Sequence, residues 1–314
     1  MNMKTRIKHL AIALTLGFVS TLTFAQQDPM FTHFMFNTLA VNSGYAGSRN
    51  ALTITGLTRH QWVGLDGAPT TQTLTAHTPL LNEKLGVGLS VIQDKIGPIK
   101  QSNFYGDFAY KIAAGKGKLA FGLKGGLSIL QGNLTQLHLT DENDPNFSSD
   151  IQTRLLPNFG FGMYYAQERF YAGVSTPRML RNTFVADTAS GSNNLNKESR
   201  HFFLIAGSVF DIVGKNIQFK PTALVKIVGN APVEFDLSGS LILKEKFSVG
   251  MMLRSGDGIG ALIGYQFTNQ LRAGYSYDQA LTRLRAQNRG THEIMLSYDF
   301  FFRDQGKVKS PRYF

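Results

Sequence analysis

Leu85-Gly86-Val87-Gly88-Leu89-Ser90-Val91 and Leu119-Ala120-Phe121-Gly122-Leu123-Lys124-Gly125-Gly126-Leu127-Ser128-Ile129 set an apolar side chain at nearly every second position, with glycine, serine or lysine between. Successive side chains of an extended strand point to opposite faces, so each stretch reads as a strand with one greasy face and one small or polar face. Phe235, Leu237, Leu241 and Leu243 alternate in the same way with Asp236, Ser238 and Ser240. Ile259, Ala261, Ile263, Tyr265 and Phe267 alternate with Gly260, Gly264, Gln266 and Thr268. Working outward gives about fourteen such segments, near 51–61, 70–79, 85–93, 101–113, 118–131, 155–166, 169–176, 200–212, 216–227, 233–243, 247–254, 258–267, 271–278 and 290–302. Most approach the roughly 9 to 11 residues that a tilted strand needs to cross an outer membrane.

The connections sort by length. If the first strand rises from the periplasm, every even connection is tight, near 80–84, 114–117, 167–168, 213–215, 244–246 and 268–270. The odd ones include all the long loops, near 132–154, 177–199 and 279–289, beside shorter ones near 94–100 and 255–257. Short turns on one side, long loops on the other and an even strand number are the pattern of a transmembrane β-barrel. Backbone N–H and C=O groups cannot stay unpaired in hydrocarbon, so such strands must close into a cylinder. The fold expected is therefore all-β, an antiparallel transmembrane barrel of about 14 strands. Greasy positions then face lipid, and the glycines among the inward positions give room for a plug or for strongly bent strands. Aromatics near strand ends, among them Trp62, Phe104, Tyr105, Tyr110, Tyr164, Tyr171, Tyr275 and Phe300, are candidates for interfacial girdles or for the core of a soluble barrel.

Composition agrees. Of 314 residues 43% are hydrophobic and 17% charged, with 32 glycines, which excludes disorder. The absence of cysteine excludes a disulfide scaffold, a thiolate metal site and a cysteine nucleophile. Lys4, Arg6 and Lys8, the apolar run 10–22 and Thr23-Phe24-Ala25 read as a secretory signal peptide, too short in its apolar part for a spanning helix, with the mature chain starting at Gln26. Loss of those three cations takes the formal charge from +11 to +8. The remaining Lys and Arg are scattered singly, without the stripe that nucleic acid requires. The expected segmentation is a signal peptide over 1–25, an arm over 26–50, a barrel over 51–302 and a periplasmic tail over 303–314. In the arm, Phe31, Phe34 and Met35 form one face of a short helix inside the barrel as a plug, or else an extended arm lies at the periplasmic rim.

Several stretches carry a family resemblance. Gln27-Asp28-Pro29-Met30-Phe31, Met35-Phe36-Asn37, Gly44-Tyr45-Ala46-Gly47-Ser48-Arg49, Arg59-His60-Gln61-Trp62-Val63-Gly64, Gly67-Ala68-Pro69-Thr70-Thr71-Gln72, Asp94-Lys95-Ile96-Gly97-Pro98 and Ser310-Pro311-Arg312-Tyr313-Phe314 are similar to the PorP/SprF family over essentially the whole mature chain. That resemblance implies an outer-membrane barrel of the type IX secretion and gliding-motility apparatus. It implies as partners the components of that apparatus, outer-membrane lipid and a large secreted client, often an adhesin. Residues Arg59, Gln61 and Trp62 end the first strand, and Pro69, Thr70 and Gln72 begin the second, so the two motifs flank one hairpin. Arg and Gln there can bond Thr and backbone while Trp62 anchors at the interface, as a structural clasp or as a contact with client or machinery. Asp94 and Lys95 open a turn by composition, with Pro fixing the chain after Gly. Tyr313 and Phe314 resemble the aromatic end by which barrels are recognised for assembly, a part that Phe302 also suits. The basic tail with Lys307, Lys309 and Arg312 either reaches a periplasmic partner or peptidoglycan, or is a mobile end.

Enzyme readings find little support. The six mature histidines lack metal spacing, and His292 and Ser297, five apart on one strand, face opposite ways. Gly160-Phe161-Gly162 lacks the third glycine of a dinucleotide loop, and the acidic run from Asp141 has Asn146 and Gln152 where a calcium loop needs Gly and Glu. The function expected is non-catalytic, without cofactor, docking a client and periplasmic machinery; the alternative is a porin-type passive or substrate-specific channel.

Overall fold

The structure, a computed structural model, describes residues 29–80, 83–136, 150–184, 196–229 and 231–301. Among them fourteen antiparallel strands form one ring. In chain order they are β1 Leu52–His60, β2 Thr70–Leu80, β3 Leu85–Ile96, β4 Ile99–Ala114, β5 Gly117–Gly132, β6 Ile151–Gln167 and β7 Phe170–Thr176. Then come β8 His201–Ser208, β9 Ile217–Val228, β10 Glu234–Leu243, β11 Phe247–Arg254, β12 Gly258–Gln266, β13 Leu271–Ala280 and β14 Thr291–Phe300. Each pairs with its chain neighbours, and β1 closes the ring on β14 through Leu52↔Phe300 to His60↔His292. After a break at Val209, the short strand Phe210–Val213 adds a further pairing to β9.

Parity decides inside from outside as the alternation requires. Gly122, Lys124 and Ser128 of β5 are buried, while Phe121, Leu123 and Leu127 between them are exposed. On β3, Leu89 stands outside at 66% exposure beside a Ser90 wholly inside. Apolar outside and polar inside reverses a water-soluble barrel and fits a hydrocarbon surround. The turns at 115–116, 168–169, 214–216, 244–246 and 267–270 lie at one end and are all tight, whereas the other end carries every long loop beside the short turns at 97–98 and 255–257; the uniformly tight end is the periplasmic end of an outer-membrane barrel.

Three details differ from the sequence reading. Strand β3 and strand β4 run on to Ile96↔Ile99, so only Gly97-Pro98 turns where a connection over 94–100 was expected; Gly97 at φ +55° takes the conformation that glycine alone adopts cheaply. Strands β4, β5 and β6 span 16, 16 and 17 residues against 7 for β7, so they rise beyond a membrane's thickness on the long-loop side. Tyr105, Tyr164 and Tyr171 are buried inside instead of sitting in a girdle, because their parity is that of the inward residues.

Residues 29–51 lie within the cylinder. Phe31, Phe34 and Met35 are all buried, but residues 32–36 form turns, and the short helix α1, Thr38–Val41, starts only afterwards, followed by a 3₁₀ turn over Ser43–Tyr45. The main apolar cluster joins this arm to the wall, with Phe34, Leu39, Tyr45 and Ala46 against Ala109, Ala120, Tyr164, Tyr171 and Phe203.

Candidate functional site: the arm-filled lumen

The two motifs of the first hairpin do meet. His60 faces Thr70 and Thr58 faces Gln72 in the ladder, and the Gln61 N–H donates to the Pro69 carbonyl at 2.9 Å. The third motif joins them: the Thr71 hydroxyl donates to Asp94 at 2.5 Å, and the Gly97 N–H donates to the Gly67 carbonyl at 2.9 Å. Pro69 is buried, Thr70 half-buried, and Gln72 and Lys95 point outward and are exposed. Trp62 does not sit in a lipid-facing girdle. Its backbone takes φ +48°, its N–H donates to Thr291 Oγ1 at 3.2 Å, and the residue lines a small recess at the outer mouth with Met252, Arg254 and Asp278. Tyr313 and Phe314 lie outside the described residues, as do Phe302, the signal segment and the acidic run from Asp141.

Arg59 takes partners other than Thr70. On β1 its parity is inward, and its guanidinium is 1% exposed, donating to Asp278 Oδ2 at 2.7 Å, Glu293 Oε2 at 3.2 Å and Thr32 Oγ1 at 2.8 Å. Glu293, fully buried, also accepts the Thr32 N–H at 2.9 Å and the His33 N–H at 2.7 Å, with His33 Nδ1 at 2.8 Å. Thr32 Oγ1 in turn donates to Asp278 Oδ2 at 2.5 Å. Buried charges are tolerable only when paired and hydrogen-bonded. Here that requirement ties three strands, β1, β13 and β14, to two consecutive arm residues.

Further ties follow down the barrel. Arg254 grips Asp236 through Nε at 3.0 Å and Nη2 at 2.9 Å and reaches the Phe31 carbonyl. Lys124, paired with Asp107 at 2.8 Å, donates to the Leu39 carbonyl at 3.2 Å. Asn37 donates to Thr73 Oγ1 at 3.0 Å. Asn42 donates to the Met163 carbonyl at 3.0 Å and accepts the Gly44 N–H at 2.9 Å. At the periplasmic end the Gly47 N–H donates to His77 Nδ1 at 3.1 Å, and Lys111 donates to the Gly47 carbonyl. The arm thus descends from the outer mouth to the periplasmic rim, where it becomes β1.

Glycine makes the groove in which it lies. A Cβ on Gly86 would stand 2.0 Å from the Ala46 oxygen, one on Gly122 2.2 Å from Gly44 N, and one on Gly162 2.2 Å from Asn42 Oδ1. All three are inward positions of β3, β5 and β6, so any larger residue would meet arm backbone or its capping side chain.

Asp278, Glu293, Asp107 and Lys124 escape motif reading, yet each carried a usable signal. All are charged residues in the inward phase of a period-two strand, where a charge must find a partner.

A family model described as type IX secretion system membrane protein PorP/SprF matches residues 23–298. No curated protein matches the sequence. Among solved structures, the outer membrane protein Omp33 of Acinetobacter baumannii is similar at 12% identity and TM-score 0.47, covering 81% of this chain and 100% of that one. The CymD monoaromatic hydrocarbon channel is similar at 8% identity and TM-score 0.44, over 80% and 87% of the two chains. A mutant of the Rh. blastica porin is similar at 10% identity and TM-score 0.34, over 80% and 99%.

Proposed function

We propose, from the premise that the chain belongs to the PorP/SprF family of type IX secretion system membrane proteins, that its barrel is a non-catalytic docking platform of the outer membrane. Its apolar outer face seats it in lipid, its outer loops meet a secreted client such as a large adhesin, and its periplasmic side meets other components of the apparatus. One observation carries this reading: the lumen holds the chain's own arm, fixed by the Arg59, Asp278 and Glu293 cluster at the outer end and by His77 and Lys111 at the periplasmic end. A barrel obstructed in this way is suited to holding partners more than to passing solutes. Arg59 in this reading is the clasp that joins the first hairpin to the arm, and Gln61, Pro69 and Asp94 fix the corner on which it sits.

Reconstitution into planar bilayers tests the platform against a porin-type channel. The expected result is no large steady conductance; a large one overturns the platform. Affinity purification from native outer membrane tests the partners. Co-elution of type IX components with a secreted protein is expected, and recovery of assembly factors alone would defeat the assignment.

A further inference from the structure

The arm leaves part of the lumen open. Between β9 and β13 a narrow recess runs from Met295 and Leu262 at mid-barrel to Lys246 and Gln266 at the periplasmic turns. Ser240, Ser248, Gly264 and Gly274 occupy inward positions there, and their small size makes the space. Its charged lining is mostly of one sign, with Lys220, Lys246 and Arg272 against Glu245 at the rim. Lys220 Nζ and Arg272 Cζ lie 4.5 and 4.8 Å from the centroid of the Phe36 ring, within coulombic reach of each other and of Arg49; the Asp299 carboxylate is also in reach of Arg272, whose Nε donates to Gln266 Oε1 at 2.7 Å. The deeper lining is apolar, formed by Met35, Phe36, Leu262 and Met295, and Ile242 adds an apolar wall close to the periplasmic turn.

Like charges gathered in a low-dielectric cleft focus the field and draw in the opposite charge. An apolar stem behind that charge would leave water against the deep surface. A guanidinium beside an ammonium suits a carboxylate, whereas two cations over an apolar floor repay poorly the desolvation of a phosphate dianion. We propose that this recess binds a carboxylate carried on an apolar stem, delivered from the periplasm. Two sources share that chemistry, the free C-terminal end of a protein chain with apolar last residues and a fatty acid. The site stands apart from the platform reading, because conductance and co-purification leave it untouched.

The chain has no cysteine, so Ser240→Cys places a single thiol in the recess of the otherwise native barrel. In lipid nanodiscs its reaction with an anionic and a cationic methanethiosulfonate reagent, each normalised to a free thiol in solution, reads the local potential. The anionic reagent is expected to be favoured about tenfold, and Lys220→Gln or Arg272→Gln to remove most of that preference. N-acetyl-Leu-Phe with a free carboxylate, or octanoate, should slow the reaction, and the dipeptide amide should not. Protection by the dipeptide acid alone assigns a protein chain end, and protection by octanoate alone assigns a fatty acid. Equal normalised rates for the two reagents, equal protection by acid and amide, or protection by neither acid overturns the site. Gel migration with and without heating monitors folding of each variant. Ile242→Trp, which fills the recess and keeps both cations, is a second probe: it should abolish protection, and protection that survives it also overturns the proposal.

Discussion

The two sides of the lumen share one architecture and differ in what their glycines do. On β3, β5 and β6 the inward Gly86, Gly122 and Gly162 face arm backbone or the Asn42 that caps it, and a Cβ on any of these three would fall 2.0 to 2.2 Å from those atoms. On β12, a Cβ at Gly264 would crowd only Ser248 Oγ at 2.5 Å, the end of a short side chain held by one 3.3 Å bond to the Gly264 carbonyl. The same residue type therefore builds a fitted groove on one wall and an open recess on the other. The contrast shows that an inward glycine is a vacancy whose use depends on what crosses the lumen.

The largest effect should come from removing the charge that anchors the arm. Glu293→Ala leaves Arg59 buried beside a single carboxylate, at a cost of about 3–5 kcal/mol. Exposed Lys118, paired with Glu83, should cost within about 0–1 kcal/mol on change to Gln. The midpoint of heat-dependent gel migration for the two variants measures the difference, and equal midpoints would refute the anchor. Next, Gly122→Leu sets a side chain against Gly44 and should cost about 1–3 kcal/mol, with the arm displaced. Conductance appearing in planar bilayers, absent from the native protein, is its signature.

On the opposite wall, Gly264→Ala should stay within about 1 kcal/mol and leave the lumen obstructed, because Ser248 Oγ can turn aside. A loss as large as that of Gly122→Leu would erase the contrast between the walls. The smallest effect lies outside the lumen. Asp150, in the loop ahead of β6, accepts the Thr135 N–H at 2.9 Å and its hydroxyl at 2.8 Å, and these bonds hold its carboxyl below the ordinary value. A depressed carboxyl contributes above its unfolded pKa and loses that contribution as pH falls through the folded one. Carbon-detected titration of Asp150 should therefore show an apparent pKa under the ordinary Asp value, and Thr135→Val should raise it.

Much of the barrel was legible because parity is a local property. Gly122, Lys124 and Ser128 announce an inward face without reference to any other strand, and the same rule, applied strictly, would have turned Tyr105, Tyr164 and Tyr171 inward. Asp94 and Lys95 misled for a different reason. Their composition is that of a turn, but at the outer end of a strand charged residues can pair in the ladder, and Thr71 supplies the Asp94 contact. Arg59 stood out from its motif, but its carboxylate partners did not, since Asp278 and Glu293 lie 219 and 234 positions away.

The sequence by itself determined a closed barrel of about fourteen strands, its inner and outer faces and the side that carries the short turns, because side-chain alternation and turn chemistry act between near neighbours. Tertiary structure alone decided that residues 29–51 thread the lumen, that Arg59 meets Thr32 and two distant carboxylates at once, and that a cationic recess stays open beside the arm. Those outcomes depend on which residues stand opposite one another across the cylinder, and ring closure sets that, not spacing along the chain.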